Sequence, residues 1–266
     1  MTDNADISLL DRPEVLRVLF HPRPEPADAS PPPGAVDLMI DVGEGVGIGA
    51  RCHMADQSSP TLLFFHGNGE IVSDYDELGP VYNRLGINFI PVDYRGYGRS
   101  GGSPTVASLM ADCHRVLDSV RQWLESGGAT GPLIVMGRSL GSAPALELAG
   151  RPDTPLAGLI IESGFAHAGP LLSLLGVRMN GFDLMEEHGF NQLEKIRAFE
   201  GPTLIIHAEY DHIIPFTDGE ALFKAASSPA KKLLKIPGAN HNDIFYRGLE
   251  PYLEAVQELV NRCRRR

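Results

Sequence analysis

At 266 residues, 43% of them hydrophobic, the chain is long enough to bury a sizeable core, and a single α/β domain accommodates that length. A formal net charge of −11 sets its average field against polyanions, which argues against broad binding to nucleic acid or to an anionic membrane surface. No uninterrupted apolar run approaches the roughly 18 residues of a membrane span, and MTDNADISLLDRPEV carries four acids and no basic n-region, so a soluble, cytoplasmic protein is expected.

In chain order, PEVLRVLF predicts a short amphipathic helix laid against the body. The proline-rich PRPEPADASPPPG that follows can continue neither a helix nor a central strand. Residues 1–34 therefore read as an N-terminal extension and 35–266 as an α/β body. Over 36–54 the apolar alternation and glycines predict a hairpin of two strands around 43–47.

The pattern then becomes repetitive. TLLFFHG precedes a helical stretch at 75–85, NFIPVDY one at 106–124, and PLIVMG one at 142–149. LAGLIIES leads into an irregular insertion, TLIIHA into a helix near 218–226, and KLLKIPG into a last helix at 244–262. Short, near-continuous apolar strands alternating with amphipathic helices predict a mostly parallel sheet covered on both faces, with function at the carboxyl ends of its strands.

The insertion, 166–197, breaks the strand–helix beat where a small cap or lid over the strand ends would sit. Leu172, Leu175, Met179 and Phe182 are candidates for an apolar pocket wall there, or simply pack against the body. Cys52, Cys113 and Cys263 have neither metal-ligand nor redox spacing and read as structural thiols in a reducing compartment. The basic RCRRR at 262–266 reads as a solvated chain end.

Chemistry concentrates in MGRSLGSA, a Gly-x-Ser-x-Gly pattern at Gly137, Ser139 and Gly141 between a strand and a helix. A serine on so sharp a turn takes a strained backbone, and its neighbours must lack bulk for the turn to close. The hydroxyl is pushed into the open with a helix N-terminus behind it.

Serine is a poor nucleophile until a base removes its proton, and histidine is the usual base. Of the nine histidines, His241 in PGANHND follows the last predicted strand and can reach back over the elbow. His114 falls inside a helix, His21 and His53 precede the sheet proper, and His167 and His188 belong to the cap. The base in turn needs a carboxylate to fix its tautomer. On such an elbow the acid follows the serine along the chain and the histidine comes last. HAEYDH, with Glu209 and Asp211, lies between Ser139 and His241; Glu162, ending LIIES, is a rival one strand earlier.

An oxyanion formed on attack needs backbone donors, each worth about 3 kcal/mol of barrier when removed. One is the N–H of Leu140, next to the serine. The candidate for the other is the N–H of Asn68, in HGNGE after the TLLFF strand.

From about 61 to 260, through HGNGE, DYRGYGRSGGSPT, MGRSLGS, LIIHAEYDHIIP and GANHNDI, the sequence resembles α/β-hydrolase-fold serine hydrolases. It is most similar to the small abhydrolase-domain branch that includes protein depalmitoylases and many bacterial esterases. There the strand before the last ends in a pattern like HGxxDxxVP. HAEYDHIIP is similar to it, with Ala208 for the glycine and Ile214 for the valine. The resemblance implies Ser139 as nucleophile, His241 as base, Asp211 as acid and Asn68 as oxyanion donor. Asp93 and Arg95 in DYRGYGRS then read as ties beneath the site, Asp243 as a loop brace, Glu209 as a loop-bracing or pocket-rim carboxylate, and His207 as a packed strand-end residue.

The implied activity is cleavage of a carboxylic ester or thioester through an acyl-enzyme, on a small-molecule or acylated substrate, with no metal or organic cofactor. Depalmitoylases of the branch resemble one another in an N-terminal cysteine cluster. The first cysteine here is Cys52, inside the predicted sheet, so the resemblance carries the chemistry and not the substrate. A peptidase, a C–C bond hydrolase or an acyltransferase would use the same triad. A non-catalytic binding module would require a defect in one of its positions, and none is visible.

Overall fold

The computed structural model describes residues 7–26, 28–174, 176–177 and 189–264. The predicted hairpin forms from β1 (Ala35–Asp41) and β2 (Gly47–His53). Then come β3 (Thr61–Phe65), β4 (Asn88–Val92), β5 (Leu133–Arg138), β6 (Gly158–Glu162), β7 (Thr203–Ala208) and β8 (Lys231–Ile236). All eight join one sheet in the order β1-β2-β4-β3-β5-β6-β7-β8. The β1–β2 and β2–β4 pairs are antiparallel and every other pair is parallel.

His53, placed ahead of the sheet by the sequence pattern, is the last residue of β2 and sits opposite Phe89 of β4. The hairpin looked separate because its glycines and charges differ from the apolar runs that follow. Pairing with β4 nevertheless makes it the sheet's antiparallel margin.

The helices are α1 (Pro13–Leu19), α2 (Leu78–Arg84), α3 (Val106–Ser126), α4 (Ser142–Ala149), α5 (Ala168–Leu174), α6 (Gln192–Ala198), α7 (Phe216–Ala225) and α8 (Ile244–Cys263). They divide the core in two, and the strands feed both halves alternately. Leu63, Phe65, Val135, Ile161 and Ile205 meet residues of α3 and α4 on one face. Leu62, Phe64, Ile134, Ile160, Leu204 and Ile206 meet Tyr82 of α2 and Tyr252 and Val256 of α8 on the other. This period-2 partition explains why β3, β4, β6 and β7 are apolar almost throughout: both faces are covered, so neither needs polar residues. At the far margin β8 carries Lys231, Lys232 and Lys235, charges that discourage a further strand from pairing there.

The N-terminal segment is firmly docked. Leu10, Val15, Leu19 and Phe20 are buried. Asp11 accepts from Val106 N–H at 2.6 Å, supplying α3 with an acceptor for an N-terminal donor. Farther on, Pro24 bridges to Gly98, and Glu25, its side chain 5% exposed, pairs with Arg51 at 3.1 Å and with Arg99.

In the insertion, α6 packs against α4 and α7. Leu172 is buried; Leu175, Met179, Phe182 and His188 lie outside the described residues. The three cysteines are buried and unbridged. Among the described residues no helix is long and apolar enough to cross a membrane.

Candidate active site

β5 ends and α4 begins across a tight turn at Ser139–Gly141. Ser139 takes φ +51°, the left-handed region that L side chains rarely adopt, so the strain expected of an elbow serine is present in the backbone. Gly137 and Gly141 allow the turn to close. A Cβ on Gly137 would run into the Gly141 carbonyl, and one on Gly141 into the Phe65 carbonyl, 2.7 Å from that of His66. The elbow is thus pressed against the end of β3, from which the HGNGE loop departs. Ser142 Oγ–H donates to the Ser139 carbonyl at 2.7 Å and closes the turn from the helix side.

Three of the predicted residues meet here. His241 Nε2 lies 3.0 Å from Ser139 Oγ, and His241 Nδ1 lies 2.7 Å from Asp211 Oδ2. All three side chains are largely buried. The second carboxylate oxygen of Asp211 accepts from the N–H groups of Ile213 (3.0 Å) and Ile214 (2.8 Å), so its orientation is fixed by its own turn. Burial by itself would raise the Asp211 carboxyl. The hydrogen bond and charge of His241, with the two amides, outweigh burial and hold the carboxyl below the usual range, so it is ionised at neutral pH.

The competing acids face elsewhere. Glu162 is buried, accepting from Arg138 Nε at 3.1 Å and from Tyr252 O–H at 2.6 Å. Burial pushes its carboxyl up, against the pull of Arg138. Glu209 accepts from Gly238 N–H at 2.9 Å and Lys235 Nζ at 3.0 Å. Asp243 accepts from Asn240 N–H at 2.6 Å and Arg247 Nε at 2.8 Å. Both brace the turns that carry Asp211 and His241. His207 donates from Nε2 to the Ile214 carbonyl at 2.8 Å, with its ring buried beside the Asp211 turn.

Leu140 follows the serine at the start of the helical turn, and Asn68 stands in the loop after β3. The Asn68 side chain is engaged: Oδ1 accepts from His21 N–H and Tyr97 O–H, each at 2.8 Å, and Nδ2 faces His21 Nδ1 at 2.8 Å. Beneath the loop, Asp93 accepts from Val72 N–H at 3.0 Å, and Arg95 binds Asp112 at 2.7 Å.

Arg138 and Glu70, which no motif of the sequence brings together, pair beside the elbow. The signal was present: an arginine closing the apolar LIVMG strand requires buried partners, and an acid two residues beyond Asn68 is one candidate. Among the described residues no group of three or more His, Cys, Asp or Glu side chains is arranged to hold a metal ion.

Comparison with known proteins agrees with this architecture. A family model described as serine aminopeptidase, S33, matches residues 56–182. The alpha/beta hydrolase domain-containing protein 17B of Homo sapiens is 35% identical over 76% of this chain and 66% of its own length. Its Xenopus laevis counterpart is 35% identical over 76% of this chain and 68% of its own length, so the chain spans about two thirds of these relatives. The Pyrococcus furiosus esterase Pf2001 shares the fold, with a TM-score of 0.73 at 16% identity over 91% of this chain and 99% of that one. The chain belongs to the α/β-hydrolase family, a membership that supports hydrolase activity.

Proposed function

We propose that the protein is a serine hydrolase that cleaves a carboxylic ester or thioester through an acyl-enzyme. The observation that carries this reading is the unbroken chain Ser139 Oγ, His241 Nε2, His241 Nδ1, Asp211 Oδ2, with links of 3.0 and 2.7 Å, on a serine at φ +51°. Ser139 Oγ attacks the acyl carbon while His241 Nε2 takes its proton, and Asp211 stabilises the imidazolium that forms. The Leu140 and Asn68 N–H groups receive the developing oxyanion. Collapse breaks the bond to the leaving group, which departs with the proton from His241. Water, deprotonated by the same imidazole, then releases the acid and restores Ser139.

A fluorophosphonate probe tests this directly. The adduct is expected on Ser139 and is expected to vanish in Ser139→Ala; no labelling, or labelling that survives the substitution, would sink the assignment. A second reading, a peptidase on the same residues, is favoured by the description of the matching family model. Graded p-nitrophenyl esters set against aminoacyl anilides separate the two. Ester turnover far above anilide turnover, with a preference in acyl length, is the expected result.

A further inference from the structure

The residue between Gly137 and Ser139 is a partly buried arginine whose guanidinium reaches three separate elements. Nε of Arg138 lies 3.1 Å from Glu162 Oε1 at the end of β6. Nη1 pairs with Glu70 Oε1 in the loop after β3. Nη2 donates at 2.9 Å to the main-chain carbonyl of His241 itself.

Each partner is anchored in turn. Glu70 Oε2 accepts from Gly67 N–H at 2.6 Å and Tyr75 O–H at 2.5 Å, and Glu162 Oε2 accepts from Tyr252 O–H of α8 at 2.6 Å. A Cβ on Gly67 would stand 2.7 Å from Arg138 Nη1, so glycine at that position is what lets the guanidinium lie against the loop. The side chains of Arg138 and Glu162 are 13% and 2% exposed. Water therefore competes poorly for these contacts.

The connectivity closes a ring. Arg138 is covalently next to Ser139, the Ser139 hydroxyl meets the His241 ring, and the His241 carbonyl returns to Arg138. A second branch runs through Glu70 to Gly67 N–H, one residue before Asn68. We propose that Arg138, clamped by Glu70 and Glu162, is the positioning residue that sets the spacing of nucleophile, base and oxyanion loop. This rests on the reading of Ser139, His241 and Asn68 given above. Arg138 touches no reacting atom; it acts through the carbonyl of the base and through the loop that presents Asn68. A planar fork with several fixed donors suits that task, whereas a lysine ammonium in its place cannot hold three diverging acceptors in the same geometry.

Two variants test the proposal, Arg138→Lys and Glu70→Gln. The first keeps the positive charge between the two acids but loses the fork. The second keeps an acceptor for Gly67 and Tyr75 while turning an amide toward Arg138. Displacing a base or an oxyanion donor by about 1 Å costs roughly 10²-fold. Each folded variant is therefore expected to lose tenfold or more in ester kcat with KM little changed, and to label at Ser139 with the fluorophosphonate proportionately more slowly.

A purely architectural arginine would lower the thermal midpoint and leave kcat per folded molecule intact. That result in either variant would overturn the proposal. If Arg138→Lys does not fold, Glu70→Gln decides on the same criterion. Absence of labelling in the unaltered chain would overturn the reading of Ser139 and the proposal with it, an outcome distinct from normal labelling with unimpaired variants.

Discussion

Replacing Asp211 with asparagine tests the hydrogen-bond chain at its most informative link. The Ile213 and Ile214 N–H groups point at one oxygen of the Asp211 carboxylate, from 3.0 and 2.8 Å. An asparagine at 211 must therefore place its carbonyl oxygen there, because an NH2 group would face two donors. Its NH2 then occupies the position of Oδ2, 2.7 Å from His241 Nδ1 in the present structure. Nδ1 is forced to accept, the ring proton moves to Nε2, and Nε2–H now faces Ser139 Oγ. An imidazole in that tautomer cannot take the serine proton.

The corresponding loss in Ser-His-Asp enzymes is about 10⁴-fold in kcat, equivalent to about 5 kcal/mol of barrier. The fold should survive, since both amide bonds to residue 211 persist. Giving up one charge-assisted hydrogen bond costs about 1–3 kcal/mol, and a chain of this size loses about 2–4 °C in Tm per kcal/mol. The assay is ester turnover with active-site titration, run beside Glu209→Gln. Glu209 braces a partly exposed turn, so that control is expected to stay within a few-fold of the unaltered chain. Asp211→Asn retaining more than a tenth of kcat, or falling no further than the control, would refute the tautomer reasoning.

Two further predictions concern the scaffold. Gly141→Ala drives a Cβ into the backbone of Phe65 and His66, which can yield only by shifting the loop after β3. A loss of about 1–3 kcal/mol in denaturant unfolding is expected together with reduced ester kcat, and unchanged stability would count against the packing described. Burial holds the His207 imidazole below its usual value, as it does His53. In the unfolded chain histidine titrates near about 6.5, so below that pH the unfolded state binds protons that the folded state does not, and stability falls as pH falls. His207→Gln preserves a donor for the Ile214 carbonyl. It is expected to flatten the decline in Tm between about pH 7 and pH 5. Equal slopes in the two chains would contradict the assignment.

The strand–helix alternation, the tight turn at Ser139 and the placing of Asp211 and His241 after strand ends were readable because each is local: period-2 burial, a glycine two residues to either side of Ser139, and strand ends followed by loops. Asp211 could be preferred to Glu209 only through the family pattern, since both flank Tyr210 at the end of the same strand. The structure separates them by which turn each carboxylate faces. The Arg138 contacts were not legible, because Glu70 and the His241 carbonyl lie 68 and 103 residues away and no periodicity encodes such a meeting. The grip of His21 on Asn68, 47 residues apart, is illegible in the sequence for the same reason. A proline-rich segment predicts the absence of regular structure, and it says nothing about what an irregular chain lies against.

That docked N-terminal segment bears on how the molecule is made. His21 leaves the ribosome 47 residues ahead of Asn68 and 76 ahead of Tyr97, and Asp11 leaves 95 ahead of the Val106 amide it serves. At about 5–20 residues per second, translation keeps these partners apart for seconds. Over that interval Leu10, Val15, Leu19 and Phe20, all buried in the finished protein, have no sheet or helix to cover them. The nascent chain thus carries an apolar segment suited to chaperone recognition well before the elbow has been translated. The His21 arm of the Asn68 clasp must wait for its partners, so the clasp closes only once residue 97 has been made.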